Sequence, residues 1–466
     1  MEQTGSNTGI AKGFFSKLGW RNARTVKNIS QGFIAKGLSI AVNFLQIPIV
    51  LTLLNKTEYG LWITIFSVTS WLGFFDIGVG NGLRNKLTEA LAVNDIKKAK
   101  SMVSTAYISI TLIFTAIIAA FIPLSFVIPW AKIFKPSLQA APELYLIIFI
   151  CVVSTALNFI FSVIYTVLAA HHQTGKSSLL LLTSQAVILG ILFYIKYSGM
   201  HPSLLYIITL LSVTPLLFNI VFNIYFFSTR YADIRPSFDS YEKSHLKEIM
   251  NLGGMFFVIQ IAVLVMYATD NLIITQLFGP ESVTMYSLVY RYFSIINFVF
   301  AIVNAPLWTM YVDAYSKGEL NWISRSIKKL LKLFYVFVLA VIIMLLCSKV
   351  FFHLWISKSF DAPLLLESLV GFYVLSLVWG NIWVIPLNAS GKIKLQMFVS
   401  ISVAIVNIPL IYFIHLFVKN VSAVVLGNII CVLIGNAFMY FYFKKIFSRA
   451  VNSQNPEQSG EISLIS

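Results

Sequence analysis

Apolar residues in this chain come in runs of twenty to thirty, separated by short polar segments rich in Lys and Arg, and the pattern recurs twelve times. Each run exceeds the roughly 20 helical residues, at about 1.5 Å of rise each, that cross the hydrocarbon core of a bilayer. The pattern predicts transmembrane helices near 29–54, 59–83, 102–128, 144–170, 178–198, 203–228, 250–276, 282–312, 329–352, 363–388, 395–416 and 421–446. A polar, charged segment, 229–249, divides them six and six. The expected organisation is a basic tail (1–28), a first lobe (29–228), a linker between lobes (229–249), a second lobe (250–446) and a polar, disordered tail (447–466).

Composition agrees. With 58% hydrophobic and 11% charged residues and a mean hydropathy of +0.82, the 466 residues cannot hide their apolar surface in a soluble fold. The fold class is therefore all-α and polytopic. The net charge of +16 points away from nucleic acid, because the cations sit in short loops and form no stripe on a soluble face. With both termini placed in the cytoplasm, inner segments hold 25 Lys and Arg against 7 outside, which sets the orientation. Residues 1–28 lack the apolar core of a cleaved signal. Ile10, Phe14, Phe15 and Leu18 recur at helical spacing there, which fits either an interfacial helix or a disordered basic tail. No outer connection exceeds about fifteen residues, too few for a folded catalytic domain outside the membrane.

The stretch Glu58–Lys100 concentrates the features of the whole: a turn, a long apolar crossing with one acid, Asp76, near its end, then glycines and a basic segment. Gly78, Gly80 and Gly82 follow no strand and precede no GKS or GKT, so they suit close helix packing better than a phosphate loop. Parts of the stretch recur later. Leu54–Glu58 matches Leu277–Glu281, Leu83–Asp95 aligns with Leu307–Glu319 at an offset of 224, and Gly175-Lys176 matches Gly391-Lys392 at 216. Two six-helix repeats in the same orientation predict pseudo-symmetric bundles about the membrane normal, with a substrate path between them suited to alternating access.

Candidate chemistry lies where polarity is costly. Lys36, Asp76, Asp270 and Arg291 fall inside spans, and each costs at least about 2.5 kcal/mol facing lipid at a helix centre. Their heights, about 10 Å from the inner ends for Lys36 and Asp76 and about 9 and 13 Å from the outer ends for Asp270 and Arg291, allow one opposite-charge pair per lobe. Either the cations hold an anionic substrate while the acids neutralise them or carry a coupling ion, or all four are buried salt bridges between helices. Asn43, Gln46, Gln260, Asn271, Asn297, Asn304 and Asn381 are candidates to line a hydrophilic cavity, although many intramembrane amides only join helices. Arg84 and Lys86, Lys317 and Arg325 lead the cations ringing the cytoplasmic mouth, as lures for a phosphate-bearing headgroup or simply as topology signals. Cys151, Cys347 and Cys431 sit within apolar runs with no Cys-x-x-Cys pair, and the six histidines find no ligand partners, so neither metal nor cofactor is expected beyond a coupling H+ or Na+.

The run EYGLWITIFSVTSWLGFFDIGVGNGLRNKLTEALA, followed by a Lys-rich segment and STAY, resembles the first-lobe signature of the polysaccharide transporter family. Asp270-Asn-Leu-Ile and Phe278-Gly-Pro-Glu281 are similar to the family's repeat, and the likeness covers about residues 25–446. That family contains the O-antigen flippases of the MATE-like superfamily. The resemblance implies two six-helix bundles around a central cavity and no enzymatic activity. It further implies a bacterial inner-membrane protein that moves undecaprenyl-pyrophosphate-linked oligosaccharide to the periplasmic leaflet, alongside polymerase and chain-length machinery. Arg291 and Lys36 are then the candidates for the pyrophosphate, with Asn43, Gln260, Asn271 and Asn297 for the sugar and Asp76 or Asp270 for coupling to an ion gradient, since no Walker motif is present. A MATE-type exporter, a flippase for another lipid carrier, and a glycosyltransferase or polymerase of the same pathway are the rivals. The balanced deep charges and the short outer loops count against the first and the last.

Overall fold

A computed structural model describes residues 23–76, 79–138, 140–246, 261, 269–356, 360–390 and 394–454. All regular structure among them is helical. In chain order the helices are α1 (Ala23–Leu53), α2 (Lys56–Ser70), α3 (Val79–Ala92), α4 (Ile96–Val127), α5 (Trp130–Phe134), α6 (Leu144–Ala170), α7 (Thr174–Tyr197) and α8 (Leu204–Ser228). Then follow α9 (Asp270–Phe278), α10 (Pro280–Phe293), α11 (Ile295–Ser316), α12 (Leu320–Trp355), α13 (Leu364–Ala389), α14 (Lys394–His415) and α15 (Ser422–Gln454). The chain forms two compact units, residues 1–257 and 258–466.

Nine helices among the described residues are long and apolar enough to cross a membrane, making this a multi-pass membrane protein. The other three expected crossings explain themselves. The second is broken into α2, a 3-10 turn at Trp71–Asp76 and α3, and the eighth is broken at Ser294 between α10 and α11. Most of the seventh lies outside the described residues, so the count of twelve stays an expectation from sequence. Within the 3-10 turn at Trp71–Asp76, Gly73 lets α6 approach closely, because the ring of Phe159 lies 2.7 Å from where its Cβ would stand.

Local chemistry sets the helix ends. Asn55 and Glu58 form a reciprocal capping box at the start of α2, with Glu58 N–H donating to Asn55 Oδ1 at 2.9 Å. At the equivalent place in the second unit Pro280 opens α10 after Gly279 at φ +86°. The 224-residue offset reappears in backbone geometry. Asn94 and Gly318 both take positive φ, 53° and 71°, and Asp95 N–H donates to Ala90 O at 3.0 Å as Glu319 N–H does to Ala314 O at 2.9 Å. The same left-handed turn therefore leads into α4 and α12.

In the first unit α1 lies along α7, allowed by Gly32 against Gly175 and joined by Gln46 Nε2 donating to Gln185 O at 2.9 Å. Helices α4, α6 and α8 share a closed polar network. Tyr107 Oη donates to Asn223 Oδ1 at 2.6 Å, Tyr165 Oη to Asn219 Oδ1, and Asn219 Nδ2 to Asn158 Oδ1 at 2.9 Å. Around it packs a core including Leu83, Leu87, Met102, Phe114, Ile164 and Phe226.

The segment after α8 is fastened to this unit. Ser237 N–H donates to Ser104 Oγ at 3.1 Å, Glu242 N–H to Thr105 Oγ1 at 3.0 Å, and Ser101 Oγ meets His245 Nδ1 at 2.9 Å. Tyr231 stacks on His171 with ring centroids 4.4 Å apart. The polar composition that reads as a free linker in sequence thus serves side-chain hydroxyls on α4.

Candidate functional site

The chemistry of the second unit gathers at Asp270, at the start of α9. Its side chain is 2% exposed, and Oδ2 accepts from Tyr286 Oη on α10 at 3.0 Å and from Asn428 Nδ2 on α15 at 2.7 Å. Asn428 Oδ1 in turn accepts from Asn407 Nδ2 on α14 at 2.8 Å, both residues being fully buried. Asp270 Oδ1 has no hydrogen-bond partner among the described residues. Four helices thus converge on one carboxylate, and a buried polar group of this kind specifies their register.

The opposite-charge pair expected here does not form. Arg291 lies on the same helix as Tyr286, but five residues further on, about 140° around and 7.5 Å along. It cannot reach the face that Tyr286 presents to Asp270. Arg291 is half-buried and meets no carboxylate in an ion pair among the described residues. In the first unit Lys36 is exposed on α1 and likewise forms no ion pair among the described residues, while the Asp76 side chain lies outside them.

Beside the Asp270 cluster is a cavity of about 650 Å³ enclosed by α10, α11, α13, α14 and α15. Tyr290 links the two, stacking on Tyr286 at 6.0 Å while its own ring lines the cavity. Cys431, which also lines it, stands one helical turn from Asn428, and Val403 one turn from Asn407. The wall carries five amides, Asn297, Asn304, Asn381, Gln396 and Asn436, together with Ser400 and the rings of Tyr290, Phe298 and Phe300. Among the described residues no charged side chain lines it. Asn381 and Asn436 spend their amide hydrogens on the backbone, donating to Leu377 O at 3.0 Å and Ser376 O at 2.7 Å. Asn304 Oδ1 and Gln396 Oε1 are buried acceptors with no partner among the described residues. Gly380 on α13 makes room for Asn436, whose amide occupies the place of a Cβ.

Of the amides expected to line a cavity, Asn297, Asn304 and Asn381 do so. Asn43 donates to Ser39 O on its own helix at 2.8 Å, Asn271 is half-buried beside Asp270, and Gln260 lies outside the described residues. Arg84, in the middle of α3, Lys317, just past α11, and Arg325, in the second turn of α12, are exposed, and Lys86 is paired with Glu89 at 2.8 Å. Gln396, Asn407, Asn428 and Asn436 were not singled out from sequence. Their signal was the same, an amide within an apolar run, but nothing along the chain separates an amide that faces a cavity from one that joins helices.

Repeated helical units with interrupted spans around an amide-bearing cavity are an architecture found among membrane transporters. Solved structures of that class share the fold. An inward-facing multidrug resistance MATE family transporter of the MOP superfamily aligns at a TM-score of 0.65 and 15% identity over 87% of this chain and 98% of its own. An outward-facing one aligns at 0.65 and 12%, over 93% and 98%. The chain itself belongs to the polysaccharide biosynthesis protein family, which matches residues 25–312. Among its relatives are a Yersinia pseudotuberculosis protein named "Putative O-antigen export protein", 23% identical over 77% of this chain and 81% of that one, and a Salmonella typhimurium protein named "Putative O-antigen transporter", 23% identical over 85% and 91%.

Proposed function

We propose that the chain is a flippase carrying undecaprenyl-pyrophosphate-linked oligosaccharide, an O-antigen or other surface-polysaccharide repeat unit, across the bacterial inner membrane by alternating access. Family membership and the relatives' names support the substrate class, and the observation that carries the reading is the amide-lined chamber. Sugar hydroxyls both donate and accept, as carboxamides do, and Asn297, Asn304, Asn381, Gln396 and Asn436 line the cavity. Tyr290 and Phe298 offer faces for sugar rings. The amides, hydroxyl and rings of the described wall suit the saccharide better than the pyrophosphate. The pyrophosphate falls to Arg291 and Lys36, cations without a carboxylate in an ion pair among the described residues. The polyprenyl tail stays in lipid, so no covalent step is needed and the protein acts as a transporter, not an enzyme.

Coupling to a proton or sodium gradient is assigned to Asp270, with Asp76 as the counterpart in the first lobe. An ion taken up on Asp270 Oδ1 alters the hydrogen bond from Tyr286, and the Tyr286–Tyr290 stack carries the change to the chamber wall. Both termini are placed in the cytoplasm by the positive-inside rule, and polymerase and chain-length proteins are the expected partners downstream.

The test is leaflet-resolved accumulation of the lipid-linked oligosaccharide in cells lacking the protein, complemented with wild type, Asn304→Leu/Gln396→Leu or Arg291→Ala at equal expression. Wild type should clear the cytoplasmic-side lipid and both variants should not. Surface polysaccharide unaltered by loss of the protein would instead favour a small-molecule exporter, the reading that the MATE-like fold alone supports. Reconstituted transport that persists after the ion gradient is collapsed would remove the coupling role.

A further inference from the structure

We propose that a second, cationic pocket in the C-terminal unit binds the phosphoryl headgroup of a membrane lipid. The pocket holds about 320 Å³ between α11 and the first three turns of α12, and is lined by Leu307, Met310, Trp322, Arg325, Ser326 and Lys329. The four α12 residues are spaced i, i+3, i+4 and i+7, so one helix face supplies an indole, a guanidinium, a hydroxyl and an ammonium. Tyr311 holds the floor, sharing a hydrogen bond with Ser326 Oγ at 3.0 Å and packing edge-on against Trp322 at 5.7 Å. Among the described residues no carboxylate lines the pocket and neither cation forms an ion pair.

Internal symmetry shows why this face is unusual. At the 224-residue offset Arg325 and Lys329 correspond to Ser101 and Thr105 of α4, and Lys328 to Ser104. In the first unit those hydroxyls are buried under the chain's own segment Ser237–His245, which they bind through Glu242 N–H, Ser237 N–H and the His245 ring. The equivalent face of the second unit carries cations in place of hydroxyls, and among the described residues Arg325, Lys328 and Lys329 are exposed. A neutral backbone strap suits the first. An anion with several acceptor oxygens suits the second, since Arg presents a planar fork to phosphoryl oxygens and Lys a point charge. The apolar wall and the indole place the site at the boundary of water and hydrocarbon, where a headgroup with an attached tail resides. Two lipids share that chemistry, the pyrophosphate of a polyprenyl carrier and the phosphate of an anionic phospholipid. Naming the first as the transported substrate at its entry point rests on the flippase reading, but phosphoryl recognition does not.

The experiment is native mass spectrometry of the full-length detergent-solubilised protein titrated with farnesyl pyrophosphate, phosphatidylglycerol or inorganic pyrophosphate. Wild type should bind farnesyl pyrophosphate, with at least tenfold weaker binding in Arg325→Gln/Lys329→Gln. Affinity should be retained in the charge-preserving Arg325→Lys/Lys329→Arg and in Lys328→Gln, which spares the pocket. Selective binding of farnesyl pyrophosphate assigns the site to the carrier, and equal binding of phosphatidylglycerol assigns it to membrane lipid. Unchanged binding of all probes by the Gln double variant overturns the proposal. So does a rise in wild-type affinity on removal of residues 455–466 together with a cross-link from that tail to Lys329, which would make the occupant the chain's own acidic end. Because the readout is binding, these outcomes stand apart from failure of the transport assay.

Discussion

Replacing Asn428 with Leu should destabilise the C-terminal unit through one residue's two hydrogen bonds. The substitution removes the 2.7 Å donor to Asp270 Oδ2 and the 2.8 Å acceptor of Asn407 Nδ2. Asp270, 2% exposed, keeps only Tyr286 as a donor, and Asn407, fully buried, loses its partner. Each buried polar group left unsatisfied costs about 1–3 kcal/mol. Hydrogen bonds within bilayers average about 0.6 kcal/mol because the unfolded reference also finds partners. These groups are buried and one of them is a carboxylate, so the larger scale applies and about 2–4 kcal/mol is expected. For a unit of this size that is a fall of roughly 4–16 °C in Tm. Asp270→Asn is the control: its carboxamide oxygen still accepts from Tyr286 and Asn428, so it should stay within about 1 kcal/mol of wild type while losing gradient-driven transport. Thermal unfolding of purified protein in detergent decides it. An Asn428→Leu variant that melts with wild type, or an Asp270→Asn variant that falls as far as Asn428→Leu, would refute the network as described.

Asn304→Leu should leave stability unchanged or raise it by about 1 kcal/mol, because it deletes an acceptor that has no partner, yet it should reduce clearance of the lipid-linked oligosaccharide; melting and complementation are measured on the same variant. Gly380→Ala should push Asn436 off Ser376 O and cost about 1–3 kcal/mol, read as a lowered Tm, with Gly190→Ala, where a Cβ meets open space, as the neutral comparison. His171, at the end of α6, should make the first unit acid-sensitive. Burial against Tyr231 holds its pKa below the usual 6.5, with the neighbouring His172 adding to the shift and the hydrogen bond to Val167 O opposing it. The unfolded chain then binds the extra proton first, so stability is full above about 6.5 and falls as pH drops towards the folded value. Tm measured from pH 7.5 to 5.5 should show this slope, and His171→Gln should flatten it.

Much of the architecture is legible along the chain because lipid imposes a one-dimensional rule. A backbone in hydrocarbon must satisfy its hydrogen bonds internally, so a run of apolar residues long enough to cross is a helix. The repeat is legible for a similar reason: Asn94 and Gly318 occupy the same left-handed position before a helix, and a turn of that kind is written within a few residues. The broken second crossing is not legible. Trp71–Asp76 reads as part of one apolar run, and the ring packed against Gly73 there belongs to Phe159, 86 residues away. The segment after α8 reads as a linker because its polar residues reveal nothing of Ser101, Ser104 and Thr105, which bind it.

The candidate site divides in the same way. Sequence alone marks Asp270 and Arg291 as costly and therefore purposeful, and it marks Asn297, Asn304 and Asn381 as polar within apolar runs. It also suffices for the family, the fold class and the bilayer as solvent, since these rest on local patterns and on composition. Only the tertiary structure decides that Asp270 is held by Tyr286 and Asn428 and not by Arg291, and that the side chains of Asn304 and Gln396 come together around one cavity. The physical reason is rotation. Each residue turns a side chain by about 100°, so whether two polar groups 158 positions apart meet depends on how their helices pack, which no single stretch of the chain encodes.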